Sequence, residues 1–169
     1  MITEAGLSLG SNLGDRLANL RAARQCISAL PGVRLVTSAP IYETEPVGVK
    51  PEYRHLAFLN TVLIVTGDFP PAAWRRLTAQ IEDDLGRVRS DDKFAPRTLD
   101  IDVLYVGDLC CDDGGVIIPH PRWAGRRFVL QPLADVRPDL VLPGAKQTVF
   151  QTLESLPPDE VVTLFSTAW

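Results

Sequence analysis

The nine residues TLDIDVLYV, positions 98–106, decide the fold. Polar and apolar residues alternate through Thr98, Leu99, Asp100, Ile101, Asp102 and Val103, the period of an extended strand with two unlike faces. Successive side chains on a strand point to opposite sides. Asp100 and Asp102 therefore share one face, about 6.6 Å apart along the strand, and Leu99, Ile101 and Val103 share the other. The apolar set predicts packing against helices, and the upstream sequence supplies them. Pro70-Pro71 are placed as helix-starting prolines, and Trp74, Leu77, Ile81 and Leu85 then recur at steps of three and four up to a closing Gly86. Before that helix, FLNTVLIVT at 58–66 reads as a strand. Residues 33–42, rich in β-branched side chains, read as another, and Pro46, Gly48 and Pro51 mark an irregular loop over 43–55. Leu17, Leu20, Ile27 and Leu30 predict an amphipathic helix over 14–30, stopped by Pro31-Gly32, with Arg16, Arg21 and Arg24 on its solvated side. A short strand at 2–9, broken by Gly10-Ser11-Asn12, opens the chain.

The resulting order is β-α-β-β-α-β. It predicts an α+β fold with a ferredoxin-like core, an antiparallel sheet with two helices packed on one face and the other face free for a site. Beyond residue 107 a short strand at 116–118, a helical turn within 123–132 and a last helix near 148–156 form a C-terminal extension that covers the sheet. Residues 1–169 read as one domain, a length at which 46% hydrophobic and 22% charged residues suit a single core. The net charge of −4 argues against a protein that coats nucleic acid or anionic lipid. Cys26, Cys110 and Cys111 have no CxxC spacing and only two histidines to supplement them, which predicts reduced thiols and no zinc knuckle. Cys110-Cys111 with Asp112-Asp113 predicts only a polar turn. No secretory pattern opens the chain, and no apolar run approaches the roughly 20 residues of a membrane span, so a cytoplasmic protein with no membrane or nucleic-acid partner is expected.

Two carboxylates on one rigid face suit Mg²⁺, which is held by one or two carboxylates plus substrate phosphates. The plainer alternative is the solvated face of a one-sided sheet. Arg87, Arg89, Lys93 and Arg97 crowd immediately before the aspartates, and Arg122, Arg126 and Arg127 form a second basic cluster. Forked guanidinium groups on one side of a phosphate chain and carboxylate-held Mg²⁺ on the other describe a nucleoside triphosphate site. For any single arginine, pairing with Glu82, Asp83, Asp84, Asp91 or Asp92 is the alternative. GxxxxGK[ST] is absent, and Gly6, Gly10 and Gly14 do not match GxGxxG, so side chains on the sheet must cradle the phosphates. His120, fixed between Pro119 and Pro121, either packs or reaches this site.

Several separated motifs in the chain resemble one family. They are Gly10-Ser11-Asn12-Leu13-Gly14-Asp15, YETEPVG at 42–48, Phe58-Leu59-Asn60, Gly86-Arg87-Val88-Arg89, PRTLDID at 96–102, Ile118-Pro119-His120-Pro121-Arg122 and Arg126-Arg127-Phe128-Val129-Leu130. In this order they are similar to the 6-hydroxymethyl-7,8-dihydropterin pyrophosphokinases of folate biosynthesis. The resemblance implies transfer of the terminal diphosphate of ATP to the hydroxymethyl oxygen of a reduced pterin, with AMP leaving. It implies two Mg²⁺ ions on Asp100 and Asp102, and Arg87 and Arg97 in catalysis and closure. ATP contacts would come from Glu82, Arg89, Lys93, Val103, His120 and Arg126, with Arg89 and Lys93 in a mobile loop. Phe58 and Phe128 would sandwich the pterin, and Asn60 with the backbone around Thr44 and Val47 would read its edge. ATP and the pterin are then the partners of a monomer.

The sequence departs from the family pattern at Lys93-Phe94-Ala95, where many members carry Arg-Trp-Gly, at Phe58 for a frequent Tyr, and at Ala79 for an occasional Gln. A rival reading of the same fold is a small-ligand regulatory module without turnover. An RNA-recognition sheet is disfavoured because Asp100 and Asp102 stand where stacking aromatics and positive charge belong. An ordinary kinase would release ADP.

Overall fold

Ala5, Leu7, Leu9, Leu63, Val65, Leu99, Ile101 and Val103 come from distant parts of the chain, yet all lie in one apolar cluster with Leu20, Ala23, Ile27, Trp74 and Ile81. The structure, a computed structural model, describes residues 1–113 and 115–169. Its elements are β1 (Thr3–Ser11), α1 (Arg16–Ser28), β2 (Arg34–Ser38), β3 (Ile41–Thr44), β4 (Phe58–Gly67), α2 (Pro71–Asp84), β5 (Asp100–Val106), β6 (Cys111–Asp113), β7 (Val116–Ile118), α3 (Arg127–Val136), α4 (Val149–Glu154) and β8 (Val162–Ser166). Strands β5, β1, β4, β3 and β8 lie side by side, with β2 also on β4, and every pairing is antiparallel. Helices α1 and α2 cover one face, as the apolar periodicity predicts. Asp15 caps α1 by accepting from Ala18 N at 3.0 Å, and Gly86, at φ +87°, closes α2.

The structure corrects the predicted elements in five places. The opening strand continues to Ser11, because Gly10 finds backbone partners on both sides, opposite Asn60 in β4 and Asp100 in β5. The strand expected at 33–42 is two strands, β2 and β3, divided at Ala39-Pro40, since Pro40 has no N–H for the ladder. The turn expected at 110–113 is partly strand, with Cys111–Asp113 paired to Val116–Ile118. The helical turn expected within 123–132 is the ten-residue helix α3, which carries Pro132 in its interior.

The fifth correction concerns the face expected to be free. Val62, Ile64, Leu104 and Tyr105 on that face pack against Val129, Leu130 and Leu133 of α3 and Val149 and Leu153 of α4. Strand β8, which no periodicity announced, joins the same sheet beside β3. Along β4 the second face therefore runs from Phe58 and Asn60 to Val62 and Ile64, and along β5 from Asp100 and Asp102 to Leu104. Its apolar half is covered. Its polar half is left open, and that half is where the site lies.

Candidate active site

The sheet register lays out the floor of the site. Asn60 pairs with Gly10, and Gly10 pairs with Asp100, so the three stand in one cross-strand row and point to one face. Two strand spacings, about 10 Å, separate Asn60 from Asp100. Gly10 keeps that gap open: a Cβ there would fall 3.0 Å from Asn60 Oδ1 and 3.5 Å from the Phe58 ring. Asn60 is buried and donates through Nδ2 to Thr44 Oγ1 at 2.7 Å. This bond fixes the amide and leaves Oδ1 over the floor.

The carboxylate end is charged and tightly bonded. Arg87 Nη1 donates to Asp100 Oδ1 at 2.8 Å and to Glu82 Oε2 at 2.8 Å. Arg89 Nη2 reaches the same Glu82 oxygen at 3.0 Å, and Glu82 Oε1 accepts from Ile101 N at 2.8 Å. Glu82 is 1% exposed. Burial pushes its pKa up, against the backbone N–H of Ile101 and the charge of Arg87. With both oxygens engaged it stands behind the arginines and orients them. Arg97 sits on the other side of Asp100, Nη1 to Oδ2 at 3.5 Å, and also donates to the carbonyls of Lys93 and Ala95. A cavity of about 280 Å³ opens among Arg87, Arg89, Lys93 and Arg97, with Asp92 as its acid.

Asp102 has a different environment. Its pKa is pushed up to about 6, first by desolvation and then by the neighbouring Asp100 charge. The nearest basic side chain is His120, whose Nε2 lies 3.8 Å from Asp102 Oδ2. His120 Nδ1 accepts from Arg122 N at 3.1 Å, which in the neutral ring leaves the proton on Nε2, facing Asp102. Burial, then the charges of Arg126 and Arg122, holds the His120 pKa down at about 4, so the ring is neutral at pH 7. The backbone of His120 is fixed to β5 by its N–H on Leu104 O at 2.8 Å. The Arg126 guanidinium lies over the Phe128 ring at 5.4 Å.

Hard oxygen donors on one face, with Asp102 desolvated and repelled by Asp100, fit a divalent cation, whose charge would relieve both penalties at Asp102. Among the described residues no group of three or more His, Cys, Asp or Glu side chains is assembled to hold a metal alone. A cation bound to Asp100 and Asp102 would complete its shell with substrate oxygens and water, the usual state of Mg²⁺.

With this geometry in place the chain can be compared with known proteins. Residues 6–138 match the family model of 7,8-dihydro-6-hydroxymethylpterin-pyrophosphokinase (HPPK). The chain belongs to the HPPK family. With the family comes the enzyme class, a pyrophosphokinase of folate synthesis. The chain is 37% identical to the 2-amino-4-hydroxy-6-hydroxymethyldihydropteridine pyrophosphokinase of Methylorubrum extorquens over 95% of this chain and 98% of that one. It is 35% identical to the protein of the same name from Pseudomonas aeruginosa, over 93% and 99%. Among solved structures it resembles an HPPK-DHPS in complex with substrates, at TM-score 0.70 and 13% identity over 92% of this chain. It also resembles Plasmodium falciparum wild-type HPPK-DHPS with pterin and p-hydroxybenzoate, at TM-score 0.68 and 14% identity over 91%. The chain spans 43% and 42% of those two solved chains, and the likeness bears on the fold alone.

As an HPPK, the chain brings Asn60, Phe58, Asp100, Asp102, Arg87, Arg97, His120, Arg126 and Phe128 to one end of the sheet. The only contacting aromatic pair among the described residues is Phe69 with Trp74, so Phe58 and Phe128 do not stack on each other. Val47 is exposed on the loop after β3, and Lys50 of that loop reaches Asp92 at 3.2 Å, which ties it to the basic loop. The Val103 side chain is buried on the helix face, as the alternation along the strand predicts, so only its backbone is offered to a nucleotide. Arg127, part of the second basic cluster in sequence, donates instead to Leu156 O and Pro157 O.

Sequence reasoning missed Asn12. Its buried side chain accepts from Arg97 N at 2.8 Å through Oδ1 and donates from Nδ2 to Leu56 O at 3.3 Å, while its backbone N–H donates to Arg97 O at 3.1 Å. An asparagine directly after a strand-ending Gly-Ser was the available signal.

Proposed function

We propose that this chain transfers the terminal diphosphate of ATP as a unit to the hydroxymethyl oxygen of 6-hydroxymethyl-7,8-dihydropterin. The substrate hydroxyl loses its proton and its oxygen bonds to the β-phosphorus. The bond from that phosphorus to the α–β bridging oxygen breaks, and AMP leaves with the bridging oxygen. The row Asn60, Gly10, Asp100 carries this reading, because it sets a donor-acceptor edge for a flat heterocycle about two strand spacings from a carboxylate-arginine cluster that suits polyphosphate.

The residues divide the work by chemistry. Phe58 and Phe128 offer the pterin its stacking faces, and Asn60 Oδ1, free of the Thr44 bond, accepts from its edge beside the backbone of Thr44 and Val47. Arg87, Arg89, Lys93, Arg97 and Arg126 spread positive charge along the phosphates, with Arg87 and Arg97 nearest the breaking bond. Neutral His120 donates from Nε2. Asp100 and Asp102 would hold two Mg²⁺ ions, which when bound neutralise the phosphate charge that develops in such transfers.

Strand β8, paired into the main sheet, supports reading residues 1–169 as one pyrophosphokinase unit. No helix of the described residues is long and apolar enough to cross a membrane, and the three cysteines are free. The free thiols support a reducing, cytoplasmic location, and we take the working form to be a monomer.

The test is product identification after incubation with Mg-ATP and the reduced pterin. AMP with pterin diphosphate is expected. ADP would make the chain an ordinary kinase, and binding of both ligands without turnover would make it a regulatory module.

A further inference from the structure

Helix α3 begins with two backbone N–H groups that no residue of its own turn can satisfy. Both are taken by one remote side chain. Glu160 Oε2 accepts from Arg127 N at 3.2 Å and Glu160 Oε1 from Phe128 N at 3.3 Å. The Arg127 side chain returns the contact through Nη2 to Leu156 O and Pro157 O, each at 3.2 Å. Residues 156–160 thus clamp the start of the helix that carries Arg126 and Phe128. Two residues after Glu160, Val162 enters β8 opposite Thr44 of β3. Thr44 in turn lies opposite Phe58 and holds the Asn60 amide.

One short stretch therefore touches both walls of the open end of the site. Glu160 holds the Phe128 wall, and Val162 holds the wall of Thr44, Asn60 and Phe58. These residues lie beyond 138, where the family match stops. A carboxylate is also the right charge for a helix N-terminus, where the peptide dipoles present their positive end.

We propose that Glu160 is a positioning residue for pterin binding: by capping α3 it sets Phe128 at a fixed distance from Phe58. This rests on the proposed pterin reaction. The cap acts first on the ring that stacks on the pterin, and Arg126 shares the same helix start, so its loss raises the pterin KM more than the ATP KM and leaves the chemical step unchanged with both substrates saturating.

The experiment compares wild type with Glu160→Ala and Glu160→Gln, after circular dichroism shows both folded. AMP release gives KM and kcat, and amide hydrogen exchange is followed at Arg127 and Phe128. Loss of a helix cap predicts a roughly tenfold higher pterin KM for Glu160→Ala, with exchange at the two amides faster by a similar factor. The kcat with both substrates saturating stays within about twofold. Glu160→Gln keeps one acceptor oxygen and falls between. Faster exchange with an unchanged pterin KM overturns the proposal, since the cap then positions nothing. A fall in kcat with exchange accelerated across the whole sheet also overturns it, in favour of a purely structural role. A wild-type chain that forms no AMP sinks the pterin reaction and this proposal's KM effect with it, while unchanged exchange in Glu160→Ala sinks the cap alone.

Discussion

Arg87 Nη1 lies 2.8 Å from Asp100 Oδ1, and the same nitrogen lies 2.8 Å from Glu82 Oε2. One guanidinium thus joins the open carboxylate of the site to the buried one behind it. Glu82 also binds the backbone of Ile101, the residue between the two aspartates, so the strand and the arginine are held by the same side chain. Asp100 has guanidinium nitrogens at 2.8 and 3.5 Å, whereas Asp102 feels the charge of Arg126 only at longer range. The two aspartates share a face but differ in what they lack.

Asp102 carries the unrelieved charge. An acid whose folded pKa, here about 6, lies above its unfolded value binds its proton more tightly when folded. Stability is greater below the unfolded pKa and falls as pH rises through the folded one, so at pH 7 the ionised group opposes folding. The Asp102 side chain is 38% exposed, and solvent screening reduces the penalty to about 1 kcal/mol. Asp102→Asn should raise Tm in metal-free buffer by about 2–4 °C. The same change should lower AMP release by on the order of 100-fold or more. Calorimetry and product assay check both, and a lower Tm would show that the carboxylate is held favourably after all.

Arg97 separates backbone from side chain. Its N–H and C=O are both held by Asn12, so Arg97→Ala keeps the backbone anchor at position 97 and removes the guanidinium with its bonds to Lys93 O and Ala95 O. Turnover should fall by about 100-fold or more while pterin affinity changes by less than about threefold. Titration calorimetry with the pterin alongside AMP kinetics reads the split. Equal losses would put this arginine on the pterin side. Asn12→Ala should act the other way: it leaves the part-buried Arg97 N–H unpaired and costs about 1 kcal/mol of stability in denaturant titration.

Gly10→Ala tests the floor. The added Cβ would meet Asn60 Oδ1 at 3.0 Å and the Phe58 ring at 3.5 Å, in the space assigned to the pterin. One methyl group in a fitted pocket is worth about 1–3 kcal/mol, so the pterin KM should rise about tenfold or more. The ATP KM should move little. A matched rise in both constants would mean that the floor belongs to neither substrate alone.

The fold class and the shared face of the two carboxylates were legible in the sequence, and the covered half of that face was not. Asp100 and Asp102 share a face by period alone, and that inference needs no partner strand. The switch from Asn60 to Val62 and from Asp102 to Leu104 was also present in sequence, but its meaning required knowing that α3 and α4 cover only the apolar half. Strand β8 is five residues long with most side chains exposed or half-exposed, so it leaves no alternation to detect. Arg127 looked like part of a phosphate cluster because composition does not say which way a helix's first side chain turns. Pro132 hid α3, since a proline inside a helix normally argues against one.

The far end of the sheet offers a pH test. Glu4 accepts from Arg137 Nη2 at 2.9 Å and Nε at 3.1 Å, and from Tyr105 Oη at 2.7 Å. Burial alone would push the Glu4 carboxyl up, but the bonds from Arg137 and Tyr105 outweigh it and hold its pKa below the usual value. A carboxyl with a depressed folded pKa contributes stability that is complete above its unfolded pKa, near 4.5, and is lost as pH falls through the folded one. Both side chains are about a third exposed, so roughly 1 kcal/mol is at stake. Arg137→Leu should therefore lower stability in denaturant titrations at pH 7 by about that amount. At pH 3, where wild type has lost most of the pair, the gap between the two should narrow. An unchanged gap from pH 7 to pH 3 would mean that Arg137 stabilises through its packing against the sheet, and that the charge of Glu4 contributes nothing.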